Sequence, residues 1–271
     1  MIKWFVRGVT RRRLTTRYPR AAEAPPARFR ARALLDPDAV DPRSAAACAA
    51  VCLPGALGAD ACGRLRLDAG RCIACGLCVD ACWDGSLTID SGYELATTSR
   101  ARLVVGEQAR ASDGSTRPLG GVFRRSLHIR HIDTGSDGAV EQEIAALLSP
   151  YYDMHRLGLF FTASPRHADA LLVTGPVTRP MEQPLRRTYE AMPEPRVVVA
   201  AGTDACSGSF WEAPEVLGGV DRVLPVDVYI PGDPPSPIAL LHGLLLAAGR
   251  VREVSPPHPE PQPSAAKMSS G

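Results

Sequence analysis

Four cysteines within eleven residues, Cys72-Ile-Ala-Cys75-Gly-Leu-Cys78-Val-Asp-Ala-Cys82, leave the chain around them few ways to fold. Thiols two residues apart point at one centre only if the loop between them is tight, and CxxCxxCxxxC is the spacing that wraps a single backbone loop around an iron–sulfur cube. Gly76 is expected to remove a Cβ where the backbone approaches that centre. A structural zinc site would set two CxxC pairs a dozen or more residues apart. A disulfide cluster is the other alternative. The eight cysteines show no regular pairing pattern and follow no signal peptide, which points to a reducing compartment where thiols bind metal.

At 271 residues the chain is long enough for two domains, each with its own core. The longest apolar run, Ile238 to Ala248, carries His242 and Gly243 and is too short to span a bilayer. Formal charge is unevenly placed: residues 1–32 hold ten basic residues against Glu23 alone. Ile2, Phe5, Val6 and Val9 recur there at helical spacing among Arg7 and Arg11 to Arg13, which describes a basic amphipathic arm able to rest on anionic lipid or a membrane subunit, or else a solvated tail. No recognition module follows it, so nucleic acid is not an expected partner.

The chain divides into the arm (1–32), a cysteine-rich module (36–92), a connector (93–125), an alternating α/β region (126–252) and a Pro/Ser-rich tail (253–271) expected to be disordered. In the connector, 101–105 reads as a strand and 112–121 as a loop. Within the α/β region, strand-like runs at 127–132, 158–162, 170–174, 196–201 and 223–230 alternate with helical segments at 141–148, 181–191 and 238–248. Several runs are continuously apolar, as required when helices cover both faces of a parallel sheet. The expected fold is an open, doubly wound, flavodoxin-like α/β sheet preceded by a small α+β ferredoxin-like module. Its ligand loops lie beyond the carboxyl ends of the strands, near 133–141, 202–209 and 231–237.

Upstream of the cysteine run, Cys48-Ala-Ala-Val-Cys52-Leu-Pro54 reads as the second half of another motif whose first half is gone, since Pro42 and Ala45 stand where cysteines would complete it. In bacterial two-cluster ferredoxins the fourth cysteine of each motif serves the other cluster. By that rule Cys52 joins Cys72, Cys75 and Cys78, leaving Cys48 and Cys82 an incomplete second set. Spacing alone closes the site locally with Cys82 instead. One [4Fe–4S] cluster is expected, with Cys52 the preferred fourth ligand and Cys82 the alternative. Cys48 and Cys62 read as buried or free thiols.

Three separated phrases, Ser126 to Asp133, Ser164 to Arg179 and Pro225 to Gly232, resemble the small electron-transfer subunit of formate hydrogenlyase, of energy-converting [NiFe] hydrogenases and of complex I. The resemblance covers about residues 126–250. The opening Met1-Ile-Lys-Trp-Phe and Thr15 to Pro19 resemble the ferredoxin-like subunit of the same complexes, so the chain looks like a fusion of two neighbouring subunits. By that resemblance the α/β region would hold its own cluster on four cysteines. Asp137, Val140, Asp204 and Asp233 stand at those positions here, and Cys206 is two residues out of register. Carboxylates do not replace thiolates around an iron–sulfur cube without a large loss of affinity, so a second cluster is not expected. The three aspartates would converge if the fold is kept, holding a divalent cation with Glu141 or Glu143; the preferred reading is that each caps a turn or helix. His128, His131 and His167 read as structural.

The resemblance implies an iron–sulfur electron-transfer subunit, an oxidoreductase component rather than a stand-alone enzyme. Its partners would be a hydrogenase large-subunit or complex I 49 kDa-like homologue and membrane subunits, on the cytoplasmic face of the cell membrane. The rival reading is a degenerate structural or assembly subunit.

Overall fold

Two adjoining cores are built from opposite faces of the same strands. The computed structural model describes residues 6, 8–10, 14–26, 28–106, 123–209 and 213–254. The 112–121 loop, the 255–271 tail and much of the basic arm therefore lie outside the described residues.

The N-terminal module comprises strand β1 (Arg32–Leu35), helix α1 (Pro42–Ala50), β2 (Leu57–Ala59), β3 (Leu65–Asp68), the short helix α2 (Leu77–Ala81), β4 (Leu87–Asp90) and β5 (Val104–Val105). Strand β1 pairs antiparallel with β4, while β2, β3 and β5 form an antiparallel three-stranded sheet. Asp41 starts α1 by accepting from Arg43 N, with Pro42 in the first turn, where a missing N–H costs nothing. Ser44, Ala45 and Cys48 face inward from that helix onto Leu57, Leu65, Leu67 and Leu87. The connector is half of what 101–105 suggested: a 3₁₀ turn at Arg100–Leu103, then β5.

The C-terminal domain runs β6 (Leu127–Asp133), α3 (Ala139–Ala146), β7 (Leu159–Phe161), β8 (Ala170–Thr174), β9 (Val177–Thr178), α4 (Arg179–Glu190), β10 (Val197–Ala201), α5 (Thr203–Ser207), β11 (Val216–Gly218), β12 (Val228–Ile230) and α6 (Pro237–Ala247). The main sheet has the order β12-β10-β8-β6-β7 with every neighbour parallel. Numbered within the sheet this is 2-1-3-4-5, the flavodoxin-like order, with its switch point between β6 and β8. Alternation assigns the two faces. Ala170, Leu172, Val197 and Val199 pack with Ile144 of α3 and the leucines of α6, whereas Leu171, Val173, Val198 and Ala200 pack with Leu185 of α4 and Ala205 of α5. Gly243 lets α6 approach the sheet, since a Cβ there would fall 2.3 Å from Ile230 Cδ1.

Two departures from expectation have local causes. The run 223–230 is strand only from Val228, because Pro225 lacks an N–H and Asp227 Oδ2 takes the Val198 N–H at 2.8 Å. The arm does not stand apart throughout. Tyr18 is buried in the α/β core, its hydroxyl donates to Glu94 Oε1 at 2.8 Å, and Thr16 N donates to Tyr151 O at 2.8 Å. Among the described residues no helix is long and apolar enough to cross a membrane.

Candidate metal centre

Cys72, Cys75 and Cys78 come from the loop that leads into α2, and Cys52 from the end of α1. All four line one pocket, walled by Ala33, Val51, Pro54, Ala56, Leu57 and Leu67. The loop is tight because two residues take left-handed backbone, Ala74 at φ 52° and Gly76 at φ 83°. Gly76 is thus required for its φ; it also lines the pocket, and a Cβ there would meet Arg30 Nη1 at 2.8 Å. The same guanidinium donates to Cys75 O at 2.7 Å, and Arg71 Nε donates to Pro54 O at 3.2 Å, tying the two cysteine segments together.

Backbone amides already point at the sulfurs. Leu57 N donates to Cys52 Sγ at 3.3 Å and Ala74 N to Cys72 Sγ at 3.4 Å. Burial pushes the Cys72 thiol up, with amides of Ala74 and Ala33 pulling the other way. Burial, then the neighbouring Cys72, Cys52 and Cys75, pushes Cys78 up to about 11. Cys75 is exposed at the rim and Cys78 is buried. Soft thiols in an apolar wall with amide donors are the surroundings an iron–sulfur group takes.

The remaining cysteines are elsewhere. Cys82 is bonded to Cys48 in a disulfide and lies outside the pocket lining, so in this structure the alternative of closing the site with Cys82 has no geometric support. Cys48 is buried, one of the two readings its sequence allowed, but as half of this disulfide and not as a thiol. Cys62 is exposed in the turn between β2 and β3, where its N–H donates to Asp60 Oδ1 at 2.9 Å. Cys206 is fully buried in α5, its thiol pushed up to about 12 by that burial.

At the carboxyl ends of the strands, Asp137, Asp204 and Asp233 lie near enough to influence one another electrostatically. Burial, then Asp233 and Asp137, pushes Asp204 up to about 6; Asp233 is raised by burial, then by Asp137. Asp137 caps its turn, Oδ1 accepting from Ala139 N at 2.9 Å. Among the described residues no three His, Cys, Asp or Glu side chains are placed to hold a single metal ion. Val140 is buried in the core and lies against Gly202, where an added Cβ would fall 2.9 Å from its Cγ2. His131 Nε2 lies 3.0 Å from Thr174 Oγ1 and 3.6 Å from Glu141 Oε1, and burial lowers its pKa. His128 Nδ1 lies 3.3 Å from Asp169 Oδ2.

The two regions touch where their functional loops meet. Thr203 Oγ1 donates to Cys72 O at 3.5 Å, one residue from Asp204. Arg100 donates to both carboxylate oxygens of Asp68, at 2.8 and 2.6 Å, and from Nε to Cys206 O at 3.0 Å. Thr97 and Tyr229 exchange backbone hydrogen bonds of 3.0 and 2.8 Å. No sequence signal marked Thr203 or Arg100; both act through contacts more than a hundred residues away in the chain.

Comparison with known proteins bears on residues beyond the cysteine module. The family described as NADH ubiquinone oxidoreductase, 20 Kd subunit, matches residues 138–247. A probable membrane-bound hydrogenase subunit mbhJ of Pyrococcus furiosus is 44% identical over 131 residues, which span 48% of this chain and 78% of that protein. The chain belongs to the NADH ubiquinone oxidoreductase 20 kDa subunit family. Formate hydrogenlyase subunit 7 of Escherichia coli is 42% identical over 132 residues, 48% of this chain and 52% of that protein. An NADH-quinone oxidoreductase subunit of Citrifermentans bemidjiense is 50% identical over 103 residues, 38% of this chain and 61% of that protein. A chain of an archaeal membrane-bound sulfane sulfur reductase superposes with TM-score 0.42 at 33% identity, covering 46% of this chain and 70% of that one. Family relatives are therefore subunits of membrane-bound hydrogenase, formate hydrogenlyase and NADH-quinone oxidoreductase.

Proposed function

We propose that the chain is an iron–sulfur electron-transfer subunit of a membrane-associated hydrogenase-like or NADH-quinone oxidoreductase-like complex, a fusion of a ferredoxin-like module (36–92) with a family α/β domain (126–252). One [4Fe–4S] cluster would be held by Cys52, Cys72, Cys75 and Cys78. The observation that carries this reading is that those four cysteines line one and the same apolar pocket, with amide N–H groups directed at two of the sulfurs. When bound, such a group supplies reversible one-electron chemistry. The chain's own residues would do the rest: the thiols bind as thiolates, the amides of Leu57 and Ala74 stabilise their charge, and the apolar wall limits water.

The α/β domain would dock a hydrogenase large-subunit or complex I 49 kDa-like homologue, and membrane subunits would hold the assembly on the inner face of the cell membrane. With Asp137, Val140, Asp204 and Asp233 at the family's ligand positions, a second cluster would have no soft donors there. That same observation favours a second reading, a degenerate structural or assembly subunit without electron relay. Iron analysis and electron paramagnetic resonance on anaerobically purified chain separate the two. About four irons per chain with a reducible signal, lost in Cys75→Ser, is the expected result; zinc, or no metal, overturns it.

A further inference from the structure

The two cysteines left over by the candidate centre are joined to each other. Cys48 in α1 and Cys82, just past α2, form a disulfide with Cα atoms 5.4 Å apart, a usual span for such a bridge. Its position is what matters. Cys48 stands one helical turn before Cys52, and Cys82 one turn after Cys78, its N–H donating to Cys78 O at 2.9 Å. The bridge therefore clamps together the two helical segments that present two of the four pocket thiols. Helix α2 is only five residues long, begins at left-handed Gly76 and has no side-chain cap, so its placement depends on what holds its far end. The start of α1 has a tie of its own, Asp84 accepting from Asp41 N at 2.9 Å and from the Ser44 hydroxyl. The C-terminal ends of α1 and α2 have the disulfide.

We propose that Cys48–Cys82 is a redox-active site, a two-electron thiol–disulfide couple whose reduction releases α2 from α1 and loosens the hold on Cys52 and Cys78. The effect on iron rests on the cluster reading above; the couple itself does not. Cys82 is the less buried partner, 6% exposed against 0% for Cys48. A thiolate of a small dithiol reductant attacks the Cys82 sulfur, the S–S bond breaks, and Cys48 leaves as a thiolate that takes up a proton. The reductant's second thiolate then displaces Cys82 as a thiolate, which is protonated in turn. The chain gains two electrons and two protons, and the reductant departs as a cyclic disulfide. A low-molecular-weight disulfide reverses the sequence.

The test equilibrates the full chain in reduced and oxidised dithiothreitol mixtures, then alkylates it and locates the labels by mass spectrometry. Labels are expected at Cys48 and Cys82, appearing and disappearing reversibly while circular dichroism stays native. In the reduced metal-free chain the buried Cys78 should alkylate about tenfold faster or more, as expected for a locally opened segment. Iron loss to a chelator from the loaded chain should accelerate likewise. The Cys48→Ser/Cys82→Ser variant should match the reduced chain at every mixture. If the pair opens only in denaturant, or if Cys78 reacts equally in both states, the proposal is wrong. A chain that takes up no iron removes the cluster reading alone, because Cys78 alkylation still decides on the switch.

Discussion

Arg100 is the side chain whose removal tests most directly how the cysteine module is held against the α/β domain. Its guanidinium forms a bidentate pair with Asp68, whose side chain is 9% exposed against 24% for the arginine. Nε donates to Cys206 O, and the head lies over Gly70, where a Cβ would fall 3.0 Å from Arg100 Cζ. Asp68 is four residues before Cys72, and Cys206 is two after Asp204, so one arginine sets the thiol loop against the strand-end loops. Breaking a fully buried pair from one side costs roughly 3–5 kcal/mol. Partial exposure of Arg100 brings Asp68→Ala down to about 2–3 kcal/mol, with the Gly70 N–H, which donates to Asp68 Oδ1 at 2.9 Å, losing its partner as well.

A double-mutant cycle with Asp68→Ala and Arg100→Ala isolates the pair. Urea unfolding followed by circular dichroism should show each single variant less stable by about 2–3 kcal/mol and a coupling of about 1.5–2 kcal/mol. Because Arg100 also holds the Cys206 carbonyl, Arg100→Ala should be the more destabilising of the two single variants, whereas Asp68→Ala should keep more of the contact between regions. A coupling below about 0.5 kcal/mol would place this pair with ordinary surface ion pairs and refute the reasoning.

Three further outcomes follow from named contacts. Gly243→Ala should destabilise the chain by about 1–3 kcal/mol, read as a lower melting temperature, because α6 cannot move off Ile230 without opening the core. Asp204 has a folded pKa of about 6, above its ordinary 3.8, so its protonated form favours folding and that contribution is lost as pH rises from about 4 to 6. Asp204→Asn should therefore stabilise the chain at pH 8 by about 1 kcal/mol, discounted for partial exposure, and do nothing near pH 3, as urea titrations would report. Loading of the metal-free chain with ferrous iron and sulfide should improve from pH 7 to 9, because Cys78 and Cys72 are held protonated and must release protons on binding; a flat profile contradicts this.

The parallel sheet was legible because its strands are buried on both faces and its helices end at Gly or Pro. Strand β8 occupies the predicted residues, and the other predicted strands and helices, 223–230 excepted, agree to within two or three residues. Short elements were not: α5 spans five residues and β9 two, too few for a period to show, and both depend on tertiary partners. The run 223–230 reads as one apolar strand because nothing in its composition shows Asp227 taking over a ladder bond. The cysteine pocket was visible as spacing, but the partner of Cys82 was not, since pairing depends on where two helices bring their ends. The contacts of Arg100 and Thr203 were out of reach for the same reason: no periodicity links positions a hundred residues apart.

The strand-end loops show why a family fold can persist when its ligand positions change. Gly135, Gly175, Gly202 and Gly232 all take positive φ, and a Cβ at Gly175 would fall 2.3 Å from Ser136 N. These loops are drawn together by backbone conformation and by the sheet beneath them. Asp137 and Asp233 consequently remain close enough to add to the upward shift that burial gives Asp204, and Asp137 to that of Asp233, even though like charges favour separation. Val140, by contrast, fits its position by joining the apolar core. Residue identity, and not loop placement, is therefore what removes soft donors from this end of the sheet. The cysteine pocket is arranged the other way: its α2 segment is short, uncapped and tied by a covalent bridge. On the proposed reading, retention of redox chemistry in this chain is decided at Cys52, Cys72, Cys75 and Cys78, and Thr203 against Cys72 is where that pocket meets the family domain.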